Sequence, residues 1–247
     1  MSPPLRVPLS PVAAGTTWID GDTGHYIARV HRLGPGDRLV VFDPETAREA
    51  DAEVVAVDRA SVQIAIAEPR EAERTARRSV TLIQATGKGD KVDAVVRDAT
   101  ELGATRIVPV IAERSIARPA AESARVTRWR RIAVEAARQS GRGDVPTVDA
   151  PLLLTAALAL LSPHATAAAG FCMHPRATAS FGPRLVALEA TRAIVILVGP
   201  EGGLSDRELE AAAEAGFDAV TIGRLVLRTE TVCAAALGAV AALACEA

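Results

Sequence analysis

The chain has 247 residues, 49% of them hydrophobic, and 28 Lys and Arg against 30 Asp and Glu give a formal net charge of −2. That apolar share excludes a disordered chain, and the near-neutral total removes net charge as an argument for a polyanionic partner. The apolar runs Leu152 to Leu161 and Val232 to Cys245 fall short of the roughly 20 residues a membrane-spanning helix needs, and the N-terminus has no charged start followed by an apolar core, so a cytoplasmic protein without a membrane partner is expected.

A short helix is expected from about Asp22 to Leu33. Strands follow at Asp37 to Phe42, Glu53 to Val57 and Ser61 to Ala67, separated by the turns Asp43-Pro44-Glu45 and Asp58-Arg59-Ala60. The polar run Arg70 to Arg78 has no period and reads as a linker, which places a domain boundary near residue 75 and divides the chain into 1–75 and 76–247. Beyond it strands and helices alternate: Val80 to Ala85, Asp90 to Leu102, Arg106 to Ile111, Ala124 to Ser140, Leu152 to Leu161 and Thr166 to Met173. Such alternation predicts an α/β domain with a mainly parallel sheet and helices on its faces.

Two strand–glycine–helix units close the chain. Ala193 to Val198 is an uninterrupted apolar run, as expected of a strand buried on both faces. It stops at Gly199-Pro200-Glu201-Gly202-Gly203, and Ser205 with Glu208 forms a capping box ahead of a helix whose Leu209, Ala212, Ala213 and Gly216 share one face. In the second unit Phe217 to Ile222 is a strand, Gly223 opens a loop, and Thr229-Glu230-Thr231 leads into a helix with Val232, Ala235, Ala236, Ala239, Val240 and Leu243 as its stripe. Ligands of open α/β sheets collect outside the carboxyl ends of the strands, so this pair of loops is the candidate site.

Arginines cluster from Glu113 to Arg142, where Arg114, Arg118, Arg125, Arg128, Arg130, Arg131, Arg138 and Arg142 face only Glu113, Glu122 and Glu135. One face or loop can therefore be basic on a nearly neutral protein. Cys172, Cys233 and Cys245 lack paired spacing and read as buried free thiols of a reducing compartment. Cys172 and His174 offer two metal ligands without a second pair, so no metal is expected. Gly87-Lys88-Gly89-Asp90-Lys91 matches no nucleotide-binding fingerprint and reads as a strand-to-helix turn, while Trp129 at helical spacing with Ile132 and Ala133 reads as core.

The ordered set Gly199-Pro200-Glu201-Gly202-Gly203-Leu204-Ser205-Asp206, a strand, Ile222-Gly223-Arg224-Leu225-Val226-Leu227-Arg228-Thr229-Glu230-Thr231 and an Ala-rich terminal helix resembles the RsmE family of 16S ribosomal RNA uracil-N3 methyltransferases, in the SPOUT superfamily. The resemblance continues upstream in Lys91-Val92-Asp93, Thr100 to Ala104, Ile107-Val108-Pro109, Glu113-Arg114-Ser115 and Glu135 to Arg142, and so spans nearly the whole chain. It implies a trefoil-knotted, mainly parallel sheet with flanking helices, preceded by a small PUA-like β-barrel associated with RNA binding, and a homodimer. It further implies S-adenosylmethionine lying across the two loops, met mostly by backbone groups of Leu197, Gly199, Gly202, Gly203, Ile222, Gly223, Leu225, Leu227 and Arg228, with Pro200 and Glu201 in the same loop.

The expected reaction is methylation of N3 of one uridine in 16S ribosomal RNA of the small subunit. N3 lies on the pairing edge, so the base must be unpaired or extruded, and phosphate-contacting arginines suit that task. Arg114, Arg118, Arg138 and Arg142 are the candidates, Arg138 and Arg142 fitting a solvated helix end equally well. Arg228 is expected to orient RNA or the uracil oxygens. Glu230 is expected to polarise the N3 proton or to hold the loop, its plainer role being to sit at the positive end of a helix. The alternatives are a different RNA target on the same fold, or a non-catalytic RNA-binding protein.

Overall fold

The structure is a computed structural model that describes residues 4–59, 61–120 and 123–243; Ala60, Glu122 and Cys245 of the sequence reading lie outside them. The chain forms two compact units, one of residues 1–75 together with 137–145, the other of residues 76–136 and 146–247.

The first unit carries β1 (Leu5–Pro8), β2 (Gly15–Ile19), α1 (Gly21–His25) continued by a π-turn over Tyr26–Val30, then β3 (Arg38–Asp43), β4 (Arg48–Asp58), β5 (Ser61–Ile66) and β6 (Arg70–Glu71). Its sheet runs β1-β3-β4-β5-β2 with β6 on β4; β1 is parallel to β3 and the remaining pairs are antiparallel. Alternation is clean in β5, where Val62, Ile64 and Ile66 point inward. Val7 of β1 and Ile19 of β2, strands at the two ends of that order, lie in one buried cluster with Ile27, Leu39, Val41, Val54 and Ile64, so the sheet wraps around its own core. Two segments differ from the sequence expectation. Arg70 and Glu71, read as linker, pair with Glu49 and Arg48 of β4 as a short strand, and β1 and β2 went unforeseen because Pro8, Pro11 and Gly15 break their pattern.

The second unit carries β7 (Val80–Ala85), α2 (Lys91–Glu101), β8 (Arg106–Ile111), α3 (Ala124–Ser140, whose last turn counts with the first unit), β9 (Thr147–Val148), β10 (Leu152–Leu153), α4 (Leu154–Leu160) and α5 (Pro163–Thr166). It continues with β11 (Ala169–Met173), β12 (Ala179–Ser180), α6 (Phe181–Val186), β13 (Ile194–Val198), α7 (Asp206–Glu214), β14 (Phe217–Thr221) and α8 (Thr229–Leu243). The sheet order is β10-β8-β7-β13-β11-β14-β12 with β9 on β8, and every pair is parallel. Every residue of β7, β11 and β13 is buried, which is why these strands read as continuous apolar runs. Because all strands point the same way, the loops that follow them emerge at one edge.

Trp129 is buried and donates its indole N–H to Asp93 Oδ1 at 2.9 Å, as its core assignment requires. Burial pushes the thiols of Cys172 and Cys233 up to about 12, so neither is a thiolate near neutral pH. The inward stripe of α8 is Cys233, Ala236, Leu237 and Val240, so Ala236 and Val240 of the expected stripe are buried while Val232, Ala235, Ala239 and Leu243 are not, and Cys233 and Leu237 take their place. An alanine-rich helix that is apolar all round carries almost no phase information, so periodicity could not select its buried side. No described helix is long and apolar enough to cross a membrane.

Candidate active site

A cleft of about 510 Å³ opens where the loops after β7, β8, β11, β13 and β14 meet. A smaller cavity of about 50 Å³ adjoins it, walled by Met173, Val220, Ile222, Leu225 and Leu227. Both lie at the carboxyl edge of the sheet, where parallel α/β folds bind ligands.

The loop after β13 is held from four sides. Gly203 N–H closes a turn onto Pro200 O at 2.8 Å, and Gly203 has φ +71°, a left-handed conformation that only glycine enters freely. A Cβ on Gly199 would sit 3.0 Å from Leu204 Cγ, and one on Gly202 would press on the Arg114 stem at 3.3 Å. A side chain at either position therefore fits only if Leu204 or Arg114 gives way by a few tenths of an ångström. Arg114 Nη1 donates to Gly202 O at 2.9 Å and to Leu204 O at 3.3 Å. Ser205 and Glu208 form the expected capping box, and Glu208, 7% exposed, also accepts from Glu113 N–H at 2.8 Å, joining the loop after β8 to the start of α7.

Glu201 turns to the loop after β7. Its carboxylate lies 2.9 Å from Lys91 Nζ and accepts from Lys88 N–H at 3.3 Å, and a Cβ on Gly87 would come within 2.8 Å of it. Burial works against the charge on Glu201, but the Lys91 ammonium and the backbone amides outweigh it and hold the carboxyl below its usual range; the same hydrogen bond raises Lys91. Lys91 Nζ is 3.9 Å from Glu230 Oε2, too far for a hydrogen bond. That oxygen is shielded from solvent and has no hydrogen-bond partner among the described residues.

The loop after β14 is differently built. Gly223 has φ +68° with open space around it, and Leu225 and Val226 are 78% and 81% exposed. Arg228 lines the cleft at the entry to α8, whose first turn carries Glu230.

Models of known families match both units: an RNA methyltransferase domain over residues 74–241 and an RNA methyltransferase PUA domain over residues 19–67. The ribosomal RNA small subunit methyltransferase E of Mycobacterium bovis is 36% identical over 232 residues, which cover 91% of this chain and 86% of that protein. The chain belongs to the ribosomal RNA small subunit methyltransferase E family. Among solved structures, the methyltransferase E of Neisseria gonorrhoeae bound to S-adenosyl methionine is 32% identical with a TM-score of 0.86, covering 97% of this chain and 98% of its own. A Legionella pneumophila protein in complex with the cofactor SAM is 26% identical with a TM-score of 0.87 and covers 98% of both chains.

In this methyltransferase the cleft gathers Gly199, Pro200, Glu201, Gly202, Gly203, Leu227 and Arg228 from the expected set, and the adjoining cavity takes Ile222 and Leu225. Leu197 is buried within β13 and, like Gly223, lines neither space. The cleft fits a cofactor such as S-adenosylmethionine. Its volume falls in the roughly 300–1,000 Å³ range of small-molecule sites, and it pairs apolar walls from Met173, Leu204 and Val232 with exposed loop backbone.

The arginines expected to touch RNA separate into two groups. Arg114 and Arg118 lie in the loop after β8; Arg114 borders the cleft and Arg118 donates to Glu113 O at 3.2 Å. Arg138 and Arg142 belong to the first unit and are buried there. Arg138 lies 3.9 Å over the Tyr26 ring, and Arg142 pairs with both carboxylate oxygens of Asp144, which occupies both guanidinium groups structurally instead of leaving them on a solvated helix end. Sequence reasoning did not assign Lys91, Met173, His174 or Arg176 to this site. Their one signal was position, directly after β7 and β11, since a parallel sheet sends every such loop to the same edge.

Proposed function

We propose that the protein methylates N3 of a uridine in 16S ribosomal RNA of the small subunit, with S-adenosylmethionine as donor, acting as a cytoplasmic homodimer. The observation that carries this is Glu230 Oε2, shielded and without a hydrogen-bond partner among the described residues, in the first turn of α8 two residues beyond Arg228, which lines the cleft. Residues 1–75 form the RNA-binding module in this proposal and 76–247 the catalytic domain, with the sheet of the latter knotted through its C-terminal segment.

When bound, S-adenosylmethionine supplies an electrophilic methyl group on a sulfonium sulfur. The backbone of Gly199 to Gly203 and of Ile222 to Arg228 would hold the donor, and Arg114, Lys91 and Glu208 clamp the first of these loops through contacts within the chain. Uracil carries a proton on N3, so the nitrogen becomes a nucleophile only as that proton leaves. Glu230 Oε2 accepts it: an acceptor with no competing donor within hydrogen-bond reach keeps its lone pair available. Negative charge then spreads over N3 and the flanking O2 and O4 of the ring, and the Arg228 guanidinium stabilises it. Leu225 and Val226, extended into solvent, are placed to cover the site once the extruded base is in.

Mapping of modified nucleosides tests the proposal. RNA from a strain lacking the gene is expected to lose N3-methyluridine from 16S RNA and to regain it when the purified protein and S-adenosylmethionine are added to its small subunits. An unchanged 16S N3-methyluridine level with a methyl group missing elsewhere would move the target, and no transfer to any RNA would leave a binding protein.

A further inference from the structure

We propose that Arg176 grips a phosphate of the RNA strand next to the extruded uridine, and so sets the register of the target over the cleft. This rests on the RNA methyltransferase reading of the same site. Four cationic side chains border the cleft, Lys91, Arg114, Arg176 and Arg228, against the single carboxylate of Glu201. Lys91 is engaged by Glu201, and Arg114 by the carbonyls of Gly202 and Leu204. Arg228 sits beside Glu230, where the uracil ring is placed. Arg176 has no hydrogen-bond or ion-pair partner among the described residues, although it lies in a concave site where like charges repel.

The segment that carries it is built to hold a position. Ala177 N–H donates to His174 O at 3.2 Å, closing a four-residue turn with Pro175 in its second place, where the ring presets φ. His174 N–H donates to Val220 O at 2.9 Å, seating the turn on β14, and Ala179 and Ser180 pair with β14 directly afterwards. The backbone under Arg176 is therefore pinned on both sides, and only the side chain is left to order on binding.

The charge balance points to the ligand. S-adenosylmethionine carries an ammonium and a sulfonium against one carboxylate, so the donor adds positive charge and leaves the arginines uncompensated. The anions that accompany a flipped nucleotide are its own flanking phosphodiesters, and a guanidinium matches a phosphate with two parallel hydrogen bonds. Such a contact fixes position without reading sequence.

The test measures binding to small ribosomal subunits that lack the methyl mark, over a salt series, for wild type, Arg176→Ala, Arg176→Lys and Arg184→Ala, with S-adenosylmethionine affinity followed by calorimetry. Arg176→Ala is expected to weaken RNA binding on the order of tenfold and to reduce the slope of log K against log salt by about 0.7, the value for one contact to a single strand. Arg176→Lys keeps the slope, cofactor affinity stays within about twofold, and Arg184→Ala, an exposed arginine paired with Asp218, leaves the slope unchanged. An unchanged slope in Arg176→Ala, with the wild type still transferring methyl, overturns the assignment alone. A loss of cofactor affinity without loss of RNA affinity also overturns it, in favour of a contact to the donor's carboxylate. A wild type that neither binds nor methylates the subunits overturns this inference together with the function it rests on.

Discussion

The two loops that frame the cleft share one sequence grammar, strand, glycine, capped helix, and differ in how they are held. The loop after β13 is closed by an internal turn, clamped by Arg114, tied to Lys91 through Glu201 and fixed to α7 by a capping box whose glutamate reaches a third segment. The loop after β14 has open space at Gly223 and turns Leu225 and Val226 into solvent. One loop is held by contacts within the chain, and the other presents Leu225 and Val226 to solvent. In the proposed function the loop after β13 is then the fixed reference for the donor, and the exposed side chains of the loop after β14 are ordered on binding at a cost in free energy.

Substitutions can break or sharpen this contrast. The largest effect is expected from Glu230→Gln, which keeps the shape at the entry to α8 but removes the carboxylate that can take up the proton: methyl transfer falls by about 10²–10⁴-fold while S-adenosylmethionine affinity is unchanged. Single-turnover transfer with calorimetry checks both arms, and a variant with full activity would reduce Glu230 to a helix-end charge. Next come Gly203→Ala and Gly223→Ala. Both have positive φ, so each is expected to cost about 1–2 kcal/mol and to lower the melting temperature by a few degrees. If the loops differ as described, equal stability losses accompany unequal effects on donor binding, the larger at Gly203.

Lys91→Met unties Glu201 from the loop after β7. The pair is partly exposed, so the expected loss of donor affinity is only severalfold. Its pH dependence has a definite sign. Glu201 is depressed from 4.5, so its contribution is complete above that value and disappears as pH falls through the lower folded-state pKa. Lys91 is raised from 10.5, so its contribution is complete below that value and disappears as pH rises through the higher folded-state pKa. The tie therefore stays intact from about pH 5 to about pH 9, and calorimetry over that range should give the same difference between wild type and Lys91→Met throughout. The smallest effect belongs to Leu225→Ser, expected to leave stability within about 0.5 kcal/mol because the side chain is already exposed. A larger loss in a chemical melt would mean that this loop is packed after all.

Much of the second unit was legible because parallel buried strands declare themselves. Val80 to Ala85 and Arg106 to Ile111 match their strands residue for residue, and Ser205 with Glu208 marked the start of α7. Two stretches failed for opposite reasons. Arg70 and Glu71 pair at a sheet edge with no apolar residue to betray a strand, and α8 is so uniformly apolar that its buried side could not be phased. The glycines of the first loop were legible as a site, but their cause was not. Leu204 and Arg114 crowd Gly199 and Gly202 through contacts that only tertiary structure creates. The same holds for Arg138 and Arg142, whose clustering suggested a basic surface and whose partners, Tyr26 and Asp144, bury them instead.

Titration of S-adenosylmethionine into the wild type and into Gly199→Val tests most directly whether the clamped loop is the donor's seat. Saturable heat with one site in the wild type, lost or weakened at least tenfold in a variant that still melts cooperatively, is the predicted result, because branched carbons at position 199 would force Leu204 and the loop apart. No heat in the wild type, or equal affinity in the two proteins, would contradict it.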